Sequence, residues 1–295
     1  SGQVDNVADT EAEAFEQIQK FLSFLPNTVH DTAPRVETND DPKRRPEELL
    51  NIIPTNRRQG YDARSLIRHV VDNGDFFEMR RHYASGIITG FARLDGFSVG
   101  VIGSDPLSKA GAMDGNGADK YAHFIDLCDT FNLPLVIFLD MPGFMLGSHA
   151  ERMATMRRGA RALIASAECK VPKIEFMVRK SYGVAADAPN SIGLPNGINL
   201  RFGWPSGEWG GIPIEGGVAA AYRREIAEAE DPDAHRENIE NRLLKLRSPF
   251  RAAHKGDVVD LIDPRDTRAI AARFVKLAQP KLSELAKRDK RAVRP

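Results

Sequence analysis

Two cysteines, Cys128 and Cys169, are all that this 295-residue chain contains. Neither belongs to a CxxC pair or another metal-spaced cluster, which excludes a zinc ribbon and a disulfide framework and leaves two buried thiols in a reducing compartment as the expectation. Long apolar runs are missing as well. No stretch approaches the roughly 18 residues of a membrane span, and the N-terminus has no signal-peptide pattern, so we expect no membrane insertion and a cytoplasmic location. Excess charge of one sign is also absent: basic and acidic residues number 41 each, which removes the bulk electrostatic reason to expect nucleic acid. Finally, there is no G-x-S-x-G elbow, no H-E-x-x-H and no nucleophilic cysteine setting. "GNGADK" at Gly115 to Lys120 lacks the spacing and ending of a Walker A loop and reads as a helix entry. Acid–base and covalent mechanisms therefore have little to stand on.

What is present is a regular alternation. Residues 11 to 25 place Ala14, Ile18, Phe21, Leu22 and Leu25 on one helical face, ended by Pro26. From His30 to Gly60 the chain is rich in Pro, Asp and Arg without sustained periodicity, which predicts a long surface connection. A domain boundary is placed there, with residues 1–60 as a terminal helix and linker from a preceding domain and 61–295 as the main domain. "DARSLIRHVVD" predicts a helix, and "GIITGFARLDGFSVGVIGSD" two strands joined at Asp95-Gly96, a strong hairpin signal. Helix 117–131, strand "PLVIFLD", helix 148–168, strand "KIEFMVR", a small-residue helix and a strand near "INLRFGW" follow, and beyond Gly216 the chain reads as mostly helical and charged, with "EDPDAHRENIENRLLKL" amphipathic. Repeated strand–helix units predict a layered α/β fold with parallel strands buried on both faces.

In such folds ligands gather at the carboxyl ends of the strands. Two exits stand out there. "FLDMPGFMLGS" interrupts a strand at Pro142-Gly143, and "RKSYGVAADAP" sets Gly183, Val184, Ala185 and Ala186 directly behind another. Both present backbone N–H groups near a helix start, where unpaired amides favour negative charge. Ordinary turn geometry accounts for either exit alone; the pair favours an oxyanion-type site. Asp140, ending its strand, is read as a cap or a ligand-orienting group, His149 as a surface residue or a general base, and Asp187 as a dipole-complementing or substrate-selecting carboxylate.

Five blocks in order, "GFARLDGFSVGVIGSDP", "DKYAHFIDLCDTFNLPLVIFLDMPGF", "RRGARALIASAECKVPKIEFMVRKSYGVAADA", "WPSGEWGGIPIEGG" and "DLIDPRDTR", resemble the C-terminal half of the biotin-dependent acyl-CoA carboxyltransferases. These are the β-type subunits of propionyl-CoA, acetyl-CoA and methylcrotonyl-CoA carboxylases and related decarboxylases. The resemblance spans roughly residues 60 to 275. It implies a crotonase-like (ClpP/crotonase) α/β spiral of ββα units. It also implies a carboxyl group moved between N1 of biotin and the α-carbon of an acyl-CoA, with this half holding biotin. In the family, the amides of a Gly-Ala pair in "AYGGA" form an oxyanion hole for the biotin ureido oxygen, and carried onto this chain the pair is Val184 and Ala185. Gly183 and the Pro142-Gly143-Phe144 turn would line the biotin slot, and Asp187 matches a position that influences acyl-chain choice. No metal is implied.

The chain departs from the pattern at Val184, where the family has glycine, and in the segments around Asp187 and "NSIGLPNGINL". Nothing in it resembles the family's N-terminal half. The resemblance therefore implies a half-enzyme that works with an N-terminal carboxyltransferase half, a biotin carboxyl carrier protein bearing the cofactor, and a biotin carboxylase, and that self-associates into a homo-oligomer. Two alternatives stay open: a carboxyacyl-CoA decarboxylase subunit running the transfer backwards, and a non-catalytic crotonase-fold assembly module.

Overall fold

Largely apolar segments at the expected places produce the long strands, which are buried along nearly their whole length. The structure, a computed structural model, describes residues 1–187, 198–211, 214–290 and 292–293. Its strands are β1 (Phe77–Met79), β2 (Ile87–Leu94), β3 (Phe97–Ser104), β4 (Leu135–Met141), β5 (Lys173–Tyr182), β6 (Asn199–Gly203), β7 (Glu208–Gly210) and β8 (Asp260–Leu261). They form one sheet in the order β1-β2-β3-β4-β5-β6-β8, with β7 pairing the far end of β5. The β1–β2 and β2–β3 pairs are antiparallel and every later pair is parallel. At the β2–β3 turn Asp95 and Gly96 both have positive φ, 51° and 78°, as a two-residue hairpin with the right twist demands. The short β1, β7 and β8 were not expected from the sequence.

The helices are α1 (Glu11–Ser23), α2 (Ala63–Val70), α3 (Gly115–Thr130), α4 (Ser148–Arg152), α5 (Thr155–Glu168), α6 (Gly183–Asp187), α7 (Ile214–Ala221), α8 (Arg223–Ala227), α9 (Pro232–Leu246), α10 (Pro249–Lys255) and α11 (Thr267–Leu285). "GNGADK" is a helix entry: the Asp114 carboxylate accepts from the Gly117 amide at 2.7 Å. The single helix expected over 148–168 is two, because Ala154 takes a left-handed conformation (φ 52°) between α4 and α5.

Both faces of the sheet are covered. Ile137, Leu139, Met141 and Met177 pack with residues of α3 and α5. Val136, Phe138, Ile174, Phe176 and Val178 point the other way, toward α2 and α11, and there Phe138, Phe176 and Phe202 stack in a row at 5.8 and 6.0 Å. The β2–β3–α3 succession is a ββα unit of the crotonase-like plan. Cys128 and Cys169 are both buried, and burial pushes the Cys169 thiol up to about 12.

Residues 1–60 lie against this core. Phe24, Leu25 and Leu49 are buried in it, while Ile18 and Leu22, on the apolar face of α1, are 53% and 57% exposed. The connecting stretch holds one short 3₁₀ turn, Glu47–Leu50. Arg268, fully buried, fastens it by donating to the carbonyls of Asp40, Asp41 and Val70 and to the Asp72 carboxylate.

Candidate functional site at the ends of two parallel strands

β4 and β5 are parallel neighbours that end level with each other, Met141 opposite Ser181. Both predicted exits leave from these ends. After β4, Pro142 and Gly143 (φ 122°) turn the chain into a position only glycine adopts at little cost. The turn is fastened to Met113, whose amide donates to the Gly143 carbonyl at 3.0 Å while its carbonyl accepts from Met145 at 2.9 Å. Phe144 lies over Gly159 of α5 so closely that a Cβ there would stand 2.5 Å from its ring.

After β5, Gly183 (φ 63°) turns the chain into α6. Amides in the first turn of a helix have no intrahelical acceptor, and those of Val184 and Ala185 fall in that turn. Ala185 is buried and anchors it in the core, whereas the Val184 side chain is 54% exposed. The branched side chain is thus turned outward. The exits touch: a Cβ on Gly143 would sit 3.5 Å from the Tyr182 carbonyl.

A buried polar clamp lies beneath them. Arg179 reaches Asp140 at 2.8 and 2.9 Å, and the Asp140 carboxylate also accepts from the Lys180 amide at 3.1 Å. Asp140 is accordingly not a cap but a tie between the two strand ends. Arg179 continues to the Gln59 carbonyl (2.7 Å) and lies 5.0 Å from the Tyr61 ring centroid. Alongside, the Tyr182 hydroxyl donates to Glu208 at 2.6 Å, and Arg57 grips the same carboxylate at 2.6 Å through each of two nitrogens. Burial, then Glu208, holds the Tyr182 phenol above its ordinary value.

Ser181, Gly183 and Val184 form one wall of a cavity of about 670 Å³ that also takes in Trp209, Gly210 and the α9–α10 junction. The structure therefore brings Pro142, Gly143, Phe144, Gly183, Val184 and Ala185 to one edge. Asp187 closes α6, and its side chain lies outside the described residues. His149 is an exposed residue of α4. Among the described residues no group of three or more His, Cys, Asp or Glu is placed to hold a metal ion. Sequence reading missed the Arg57–Glu208–Tyr182 chain and the basic residues of the α9–α10 junction, which come from distant segments with no motif to connect them.

The sequence matches the carboxyl transferase domain over residues 1–293. It is 39% identical over 269 residues to the carboxyltransferase subunit of propionyl-CoA carboxylase from Haloferax mediterranei, covering 91% of this chain and 52% of that protein. It is 38% identical to the alpha subunit of methylmalonyl-CoA decarboxylase from Veillonella parvula, covering 91% and 51%. Among solved structures, the transcarboxylase 12S hexamer with hydrolysed methylmalonyl-coenzyme A bound superposes with a TM-score of 0.86 at 36% identity, over 100% of this chain and 55% of the other. The chain thus spans about half the length of the relatives it matches.

Proposed function

The chain belongs to the carboxyl transferase family, and from that membership we propose that it supplies the biotin-binding half-site for carboxyl transfer between biotin and the α-carbon of an acyl-CoA. The observation that carries this reading is the meeting of two amide-bearing turns, at Gly143 and Gly183, on neighbouring parallel strands. Biotin, when bound, supplies the carboxyl group and a ureido oxygen that takes up negative charge. The residues suit it: Gly183, Val184, Ala185 and Ala186 keep the turn after β5 small, its anchor Ala185 is buried, and it opens on a cavity.

The amides of Val184 and Ala185 are the groups placed to stabilise that charge, and one such preorganised donor is typically worth about 3 kcal/mol of barrier. Pro142, Gly143 and Phe144 wall the slot. Asp187 selects the acyl group. A protein acid is not required, because fixed N–H dipoles cost no reorganisation when charge develops. An acyl-CoA half-site, a biotinylated carrier and a biotin carboxylase complete the system in this reading, residues 1–60 being the tail of the preceding half. Self-association is supported by the hexamer of the transcarboxylase relative and by exposed Phe15, Ile18, Leu22 and Leu146. Among the described residues no helix is long and apolar enough to cross a membrane.

The second reading, decarboxylation, is favoured by the similarity to methylmalonyl-CoA decarboxylase subunits; the same half-site serves both directions. The test is calorimetric titration with biotin or biocytin of the parent chain and of Ala185→Pro, which deletes an amide. Binding that weakens in the variant, with circular dichroism unchanged, supports the half-site. If both chains, each supplied with the N-terminal half, bind equally or not at all, the assembly-module reading replaces it.

A further inference from the structure

Basic side chains outnumber acidic ones in the lining of the cavity beside the amide turn. Arg247, Arg251 and Lys255, from the end of α9 and from α10, line it together with Gly183 and Val184, and Asp257 is the one carboxylate among its described lining residues. Arg201, also in the wall, is held by Glu175 at 3.0 Å.

Arg247 is the unusual member. Only 9% exposed, it forms no ion pair among the described residues, and its Nη1 has no hydrogen-bond acceptor. Its guanidinium lies 4.7 Å from the centroid of the Tyr182 ring. Glu208, the carboxylate at that ring's hydroxyl, is already taken by Arg57 and by Tyr182 itself. The indole Nε1 of Trp209, in the same wall, is likewise buried without an acceptor. Buried donors are satisfied in nearly all folded proteins, and a buried unpaired cation is costly. Gly210 makes room for the guanidinium itself, since a Cβ there would lie 3.1 Å from its carbon, and the neighbouring Gly211 opens onto free space.

A planar fork of donors, rigidly stacked and flanked by two exposed cations, is suited to a carboxylate or phosphate. We propose that this cavity binds an oxyanion of the acyl-thioester substrate, with Arg247 as its principal ligand and Arg251 and Lys255 at the rim. Two groups carry that chemistry, a second carboxylate on the acyl chain and a phosphate of the thioester's carrier. The link to an acyl thioester rests on the function proposed above; anion binding itself does not.

The test is titration of the full chain with glutarate and, separately, with inorganic phosphate at low ionic strength. Saturable binding of either, weakened about tenfold or more in Arg247→Met as expected for loss of a charge-assisted contact, supports the site. Tighter glutarate assigns it to an acyl carboxylate, tighter phosphate to the carrier. Arg251 and Lys255 are exposed, so Arg251→Ala/Lys255→Ala folds whatever Arg247→Met does, and it must weaken binding also. Absence of binding to the parent, or binding unaltered in the double variant, overturns the proposal. Biotin titration of the same samples reads the amide turn separately, so the two readings fail separately.

Discussion

Arg179 Nη2 lies 2.8 Å from Asp140 Oδ2, with both side chains at most 4% exposed, where β4 and β5 end. Removing one member leaves a buried unpaired charge, which costs about 3–5 kcal/mol. Asp140→Ala is therefore expected to lose that much in urea unfolding and to loosen both turns, so that biotin affinity falls as well. Unchanged stability would show that water replaces the carboxylate.

At the second turn the backbone and the side chain separate cleanly. Val184→Ala keeps the amide and trims a side chain that is 54% exposed, so turnover of the reconstituted complex should change less than threefold. Ala185→Pro removes a donor in the first helical turn, where proline is tolerated, and should lower kcat about a hundredfold or more. Comparable losses in both would assign the effect to side-chain shape.

Gly159 sets where Phe144 rests. A Cβ there would come within 2.5 Å of the ring, and the ring is the movable partner. In Gly159→Ala the gain in helix propensity, about 1 kcal/mol, offsets the clash, so the unfolding midpoint should barely move while biotin affinity falls several-fold. A crystal structure of the variant should show the ring swung off α5; an unmoved ring contradicts this account.

Lys120 is buried, its Nζ donating to the carbonyls of Arg80, Tyr83 and Ile87 at 2.9, 3.0 and 2.6 Å. Burial pushes its ammonium down to about 8 from 10.5, against the opposing pull of Glu78. Between these values the unfolded chain holds a proton that the folded chain has released, so this group's contribution to stability rises with pH across that window. The stability difference between the parent and Lys120→Met, measured by urea at pH 7.5 and 9.5, should therefore shift in the parent's favour at the higher pH. A shift the other way would mean that the charged form is the one the site prefers.

The long elements were legible because their own residues decide them. β4 and β5 are apolar runs, and α3 begins at an aspartate whose carboxylate caps it. β7 and β8 were not, since strands of three and two residues exist only through pairing with β5 and β6. The break at Ala154 left no glycine or proline to mark it. The apolar stripe on α1 divides: Phe21 and Leu25 pack with Phe24 at the core, whereas Ile18 and Leu22 remain outside. At the site, the turns were visible as small residues behind strands. Their supports were not: Asp140 and Arg179, or Tyr182 and Glu208, become partners only when strands are laid side by side.

Because the two turns leave from adjacent strands that end side by side, Met141 opposite Ser181 after a shift of register beyond Leu139, their separation is inherited from the sheet, about 4.8 Å per strand, rather than set by either loop. The sheet acts as a calliper. A molecule spanning both turns is gauged against a distance that peripheral changes in α4, α9 or α10 leave untouched, so these helices are free to diversify what binds beside the jaws while the gap between the jaws stays constant.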